Sequence, residues 1–191
     1  MTPTTTRLGT EVQPMDIQPC IPDSKIAHMT GVAKYMLARA SAYGIDKDVA
    51  YTTGLLHDIG YLHGHDDHEE NGYNILCECG MDPDSETAIA VAFHAKLLSR
   101  LPVACVSPLL VLTVEADLSV DAKGNIVGSR KRLADIEARY GRETIGKVKN
   151  MPIYDSVRQN MDFIISYRLR NHICSPLDTF RGTELEGVLS E

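Results

Sequence analysis

Apolar residues recur at helical spacing along most of the chain. Ile26, Met29, Val32, Ala33, Met36, Leu37 and Ala40 share one face of a helix expected to begin near Asp23 or Ser24 and to stop at Gly44. Asp46 is a side-chain cap for the next helix, which carries Val49, Ala50, Thr53, Leu56 and His57 before Gly60 turns the chain. A third helix is expected over 69–79, closed by Gly80. A fourth is expected to start at Asp82 or Asp84 and to carry Ile89, Ala92, Phe93 and His94. Ser107-Pro108 reads as a cap followed by proline at the first helical position. The segment 109–118 is apolar almost all round until Glu115 and Asp117, the pattern of a central, buried helix. Past a turn at 121–125, the stretches 129–140 and 142–150 predict two short polar helices. Residues 153–170 predict a long helix with Val157, Met161, Ile164, Ile165 and Leu169 on its apolar face, available for the core or for a homodimer.

Strand signals are scarce, so the chain reads as all-α, a single-domain helical bundle. Residues 1–22, with four prolines and no period, form an extended lead-in. Residues 23–175 form the helical domain, and 176–191 an irregular tail.

Composition narrows the function classes. The chain has 191 residues, 43% apolar and 24% charged, enough for one domain with a real core. Its net charge of −7 disfavours duplex nucleic acid as a partner, because such binding is driven by Lys and Arg on phosphates. No apolar run has membrane-spanning length, and the N-terminus has no export pattern, so a cytoplasmic protein is expected. The five cysteines form no CxxC pair and are expected to be reduced.

Chemistry gathers around Gly54-Leu-Leu-His57-Asp58-Ile-Gly60, where an imidazole and a carboxylate adjoin at a helix end. His28, His68, His94 and Asp117 likewise fall near helix ends or on a buried helix. Several ionisable groups beside apolar segments are costly if buried without partners. Imidazole nitrogens with carboxylate oxygens suit Fe, Mn, Co, Ni or Zn. A neighbouring pair on one helix does not close a coordination sphere, so other helices must supply the remaining ligands. The set suits one ion, or two if Asp58 bridges.

The order His28, His57-Asp58, Asp117 resembles the HD-domain metal-dependent phosphohydrolase superfamily, and Leu-Leu-His57-Asp58-Ile-Gly resembles its HDIG-type members. His68 with Gly72, and His94 in Ala-Phe-His-Ala, resemble the further histidines of that subgroup. The resemblance spans about residues 26–120. It implies an all-helical phosphohydrolase core in which His28, His57, Asp58 and Asp117 bind a first metal. His68 and His94 bind a second, with Asp58 between the two. The chain lacks the Gly-Tyr-Pro signature of the cyclic-dinucleotide branch, and Phe93-His94 is not that branch's double histidine.

The reaction expected is hydrolysis of a phosphate ester or anhydride by metal-activated water, on a small phosphorylated compound such as a nucleotide. Asp58 is the central catalytic residue, and His63 and His65 are candidate leaving-group acids, though the reading of both as solvated loop residues is slightly preferred. Lys96, Arg100, Arg130 and Arg132 are candidate phosphate clamps. The acidic run Asp66, Asp67, Glu69, Glu70 reads as an exposed helix start, Glu115 as solvated or salt-bridged, and His172 as a core residue. The rival readings are a nucleotide-sensing or partner-binding module with a silent metal site and, less favoured, a di-iron oxygenase.

Overall fold

The computed structural model describes residues 21–64, 67–146 and 151–181. The described chain is helical, with isolated β-bridges at Val120–Ile126 and Ile145–Pro152. Helix α1 (Asp23–Arg39) tightens into a 3-10 turn over Ala40–Tyr43, which ends at Gly44 with φ of 68°. Helix α2 (Lys47–Leu56) starts at Asp46, whose carboxylate accepts from the Asp48 and Val49 amides. A 3-10 turn (Ile59–His63) leads toward α3 (His68–Glu78), and α4 (Glu86–Phe93) follows. Helix α5 (Pro108–Asp117) has the expected serine cap, with Ser107 Oγ accepting from Leu110 N, and proline behind it.

Every residue from Leu109 to Ala116 is buried, so α5 is the axis of the domain. It packs against α1, α4 and α7 (Ile153–Arg170), and Val32, Tyr35, Met36, Leu98, Leu110 and Leu112 fill the space between. Helix α6 (Gly128–Tyr140) lies on α7. Helices α1 and α2 meet almost backbone to backbone. A Cβ on Gly54 would come within 2.5 Å of Ala33 Cα, so glycine there lets the end of α2 reach the middle of α1.

Five expectations need correction. Helix α4 is capped by Ser85, whose Oγ accepts from Ala88 N, while Asp82 spends its carboxylate on a local turn with Asp84 N. No helix forms over 142–146. Gly141, with φ of 71°, ends α6, and Ile145 pairs with Pro152; residues 147–150 lie outside the described set. On α7, Val157, Met161 and Ile164 face the core, but Ile165 and Leu169 are exposed, because a helix this long turns part of its apolar stripe away from its neighbours. The tail begins with a helical turn, α8 (Pro176–Thr179), closed by a Ser175–Asp178 capping box, and Phe180 beyond it is buried against Tyr35. His172 is exposed past the end of α7, in a left-handed backbone conformation (φ of 56°), and is not a core residue.

The lead-in, apart from Ile21 and Pro22, and residues 182–191 lie outside the described set. Among the described residues no helix is long and apolar enough to cross a membrane. Cys77, Cys79, Cys105 and Cys174 are free thiols.

Candidate metal centre

Six ionisable side chains from five helices meet at one end of α5. His28 comes from α1, His57 and Asp58 from the end of α2, and His68 is the first residue of α3. His94 closes α4, and Asp117 is the last residue of α5. A glycine makes the arrangement possible. A Cβ on Gly60 would lie 1.8 Å from the His68 carbonyl oxygen and 2.5 Å from Gly72 N. Only a residue without a side chain lets the turn after Asp58 press onto the start of α3, and this contact carries His68 to the carboxylate.

Asp58 is the centre of the cluster. One of its oxygens, Oδ2, lies 3.7 Å from His57 Nε2. The other, Oδ1, lies 3.3 Å from His68 Nε2 and 3.4 Å from His94 Nε2. Two ligand trios therefore share this residue: His28, His57 and Asp58, and Asp58, His68 and His94. In each trio the ligand atoms lie within 4.8 Å of one another. Asp117 joins the first trio through a 2.9 Å contact of its Oδ1 with His28 Nε2, and its side chain keeps 24% exposure toward a cavity of about 490 Å³.

The donors fit a cation. His57 and His94 each donate from Nδ1 to the carbonyl three residues back, Gly54 and Val91, at 2.8 Å. A carbonyl only accepts, so Nδ1 carries the hydrogen and the Nε2 lone pair faces inward. His57 Nε2 is fully buried and has no hydrogen-bond partner, an arrangement that a metal would resolve. His28 Nδ1 likewise donates to the Asp121 carbonyl at 3.0 Å, while its Nε2 meets an Asp117 oxygen. Two lone-pair atoms at 2.9 Å need a proton or a cation between them.

Charge follows the same logic. Burial pushes the His57 pKa down, which keeps the ring neutral and ligand-ready. Burial alone would lower His28 and His94 as well, but Asp117 beside the first and Asp58 beside the second raise both above the ordinary imidazole value. Burial would raise Asp58 and Asp117, yet the surrounding histidines outweigh it and hold both carboxyls below their usual range. Both therefore stay ionised in the interior.

The remaining candidates divide. Arg132 lines the cavity, its side chain tied to Asp135 at 3.2 Å. Lys96, Arg100 and Arg130 are exposed and do not line it. His63 is exposed at the end of its 3-10 turn, also away from the cavity, and His65 lies outside the described residues. Proximity in sequence to His68 misplaced His63, because a short turn points successive side chains in different directions.

Other cavity residues carry no sequence signal of their own. Lys25 Nζ sits 3.1 Å from Asp58 Oδ2 and 3.7 Å from the centroid of the Tyr61 ring, which stacks on His68 at 4.4 Å. Only its position three residues before His28, one helical turn away, could have suggested it. Arg139 reaches the cavity from α6 on the same Asp135 that holds Arg132. Glu69 is buried rather than exposed, with Oε2 3.5 Å from His68 Nδ1, where it steadies the ring from behind.

Residues 26–123 match the family model described as HD domain. No curated protein and no solved structure matches the chain.

Proposed function

The chain belongs to the HD-domain family, and from that premise we propose that it is a metal-dependent phosphohydrolase of the HDIG type, acting in the cytoplasm on a small phosphorylated compound such as a nucleotide. The observation that carries the reading is the split carboxylate of Asp58, with one oxygen toward His57 and the other toward His68 and His94. A residue shared in this way between two buried ligand groups suits a pair of divalent ions. His28, His57, Asp58 and Asp117 hold the first, and Asp58, His68 and His94 the second, with Fe, Mn, Co, Ni or Zn matching the donors.

When bound, such ions neutralise phosphate charge and lower the pKa of water toward about 7. The chain's own residues do the rest. The Nδ1–H bonds to Gly54 and Val91 lock the His57 and His94 rings. Lys25, Arg132 and Arg139 bring positive charge to the cavity that Asp58 and Asp117 line, where phosphate oxygens would bind. Tyr61 braces the Lys25 ammonium against its ring.

The test is metal analysis of freshly purified protein, followed by a panel of phosphate esters and anhydrides with added Mn, Co, Ni or Fe. The expected result is bound metal and release of inorganic phosphate, both removed by His57→Ala with Asp58→Ala. Absence of bound metal, with any activity unaffected by the double substitution, sinks the reading. The exposure of His63 outside the cavity favours a second reading, a ligand-binding module without turnover. Tight nucleotide binding by metal-replete protein, with no phosphate released, would select it.

A further inference from the structure

The cavity has two unlike ends. At one, Lys25 lies against Asp58, and Arg132 and Arg139 line the same cavity. At the other, a recess of about 280 Å³ runs from His94 and Asp117 between α5 and α7. Its walls include Ala95, Val114, Leu118, Ile153 and Val157, and among the described residues none that lines it is a lysine or arginine.

Among the described residues of the recess, the two uncharged polar side chains are already engaged. Asn160 accepts from Leu98 N at 2.9 Å and donates to the Lys96 carbonyl at 3.0 Å, and Ser156 Oγ donates to the Ile153 carbonyl at 2.8 Å. Asn160 is thus held in bonds that order the backbone after α4. A nucleobase placed there would bury donors and acceptors against aliphatic walls. Each group left unpaired weakens binding by about tenfold. An apolar ring or branched alkyl group loses nothing there and gains the burial. By volume, about 150 Å³ already accommodates benzene in an apolar cavity.

We propose that the recess receives the organic part of the substrate, and that the substrate is a phosphate monoester of a small apolar group, aryl or branched alkyl, rather than a nucleotide. The proposal rests on the phosphohydrolase reading above. The phosphate lies toward Lys25, Arg132 and Arg139, and the ester oxygen points past His94 and Asp117 into the recess. Water supplies an oxygen to phosphorus and the ester P–O bond breaks. The departing oxygen keeps the bonding electron pair and takes up a proton, leaving an alcohol or phenol and inorganic phosphate. The wall that reads the organic group is built partly by Ile153 and Val157, which lie beyond the family-matched residues 26–123. Substrate choice is thereby separated from the metal ligands.

The experiment uses the full chain loaded with Mn and measures calorimetric binding of phenylphosphonate, methylphosphonate and adenosine monophosphate. Phenylphosphonate is expected to bind at least tenfold more tightly than methylphosphonate and more tightly than the nucleotide. Val157→Phe, which fills the recess, and Ile153→Ser, which makes its wall polar, should each shrink the phenyl-to-methyl ratio several-fold. Melting temperature and Mn content report whether each variant is folded, and Ile153→Ser decides the matter if Val157→Phe is not. Equal binding of the two phosphonates, tighter binding of the nucleotide, no binding of any of the three, or a ratio indifferent to a folded variant overturns the proposal. Turnover of phenyl phosphate beside adenosine monophosphate separates the two readings. Selective phenylphosphonate binding with no phosphate released from any ester keeps the recess as the seat of an apolar group and removes the hydrolase. Phosphate release without a phenyl preference keeps the hydrolase and removes the recess.

Discussion

Helix α5 carries two carboxylates two residues apart, Glu115 buried and Asp117 half-buried, and they have opposite fates. Glu115 faces one side, where the Arg39 guanidinium lies 3.3 Å away and that of Arg168 3.5 Å away. Tyr35 and Tyr43 donate to its two oxygens. Arg39 in turn donates to the carbonyls of Cys174 and Ser175 and to Thr179 Oγ1, which fastens α8 to the core. Two residues on, about 200° around the helix, Asp117 faces the histidine cluster. Permanent cations complete the first cluster. In the second the carboxylates are met mainly by imidazoles, whose lone pairs point inward. The Glu115 charge is closed by arginine and hydroxyl donors, whereas Asp117 sits among donors that could hold a metal.

The comparison can be broken from either side. The largest effect is expected at the open cluster. Asp58→Ala should abolish stoichiometric metal binding and lower phosphate release on the order of 10³-fold, since several kcal/mol of charge stabilisation go with the ions. Metal analysis beside steady-state kinetics checks both, and a variant that keeps two ions would refute the central role of Asp58.

At the closed cluster, Glu115→Ala leaves two arginines facing each other in the interior. A loss of about 3–5 kcal/mol is expected on urea unfolding, with metal content per folded chain unchanged. Loss of metal from folded Glu115→Ala would show that the two sides of α5 are not independent.

Chelation should also lower stability, but through the open cluster. Removing a metal present at a hundredfold over its dissociation constant costs about 2.7 kcal/mol, or roughly 5–10 °C of melting temperature for a chain of this size. Calorimetric scans with and without chelator measure it, and the shift should vanish in Asp58→Ala. The smallest effect belongs to His63→Ala, expected within about 0.5 kcal/mol of wild-type stability and within about twofold of its turnover, because the ring is exposed away from the cavity. A larger loss of turnover would return His63 to the reaction.

The helices were legible where a side chain signs its own local structure. Asp46 and Ser107 cap the helices expected of them, and the apolar run after Pro108 is buried as its pattern demands. The six candidate ligands were legible because ionisable groups inside apolar segments demand partners. Their order along the chain also carries the family resemblance that the match over 26–123 bears out. Periodicity could not tell which part of a long apolar stripe finds a neighbour, so Ile165 and Leu169 read like Val157 but lie in solvent. Nor could composition distinguish Lys25 from any other lysine of a first helical turn.

By itself, then, the sequence determined that the chain is helical, that α5 is its axis, and which imidazoles and carboxylates had to find one another. Local propensity and the cost of burying charge act on the chain without regard to its final shape. Tertiary structure alone decided that Asp58 divides its oxygens between two histidine groups and that Arg132 and Arg139 reach the cavity while Arg100 and Arg130 do not. It also decided that Glu115 and Asp117 part company. Each of these turns on a distance between segments far apart in sequence, set by how closely backbones approach at Gly54 and Gly60, where a single methyl group would hold the helices apart.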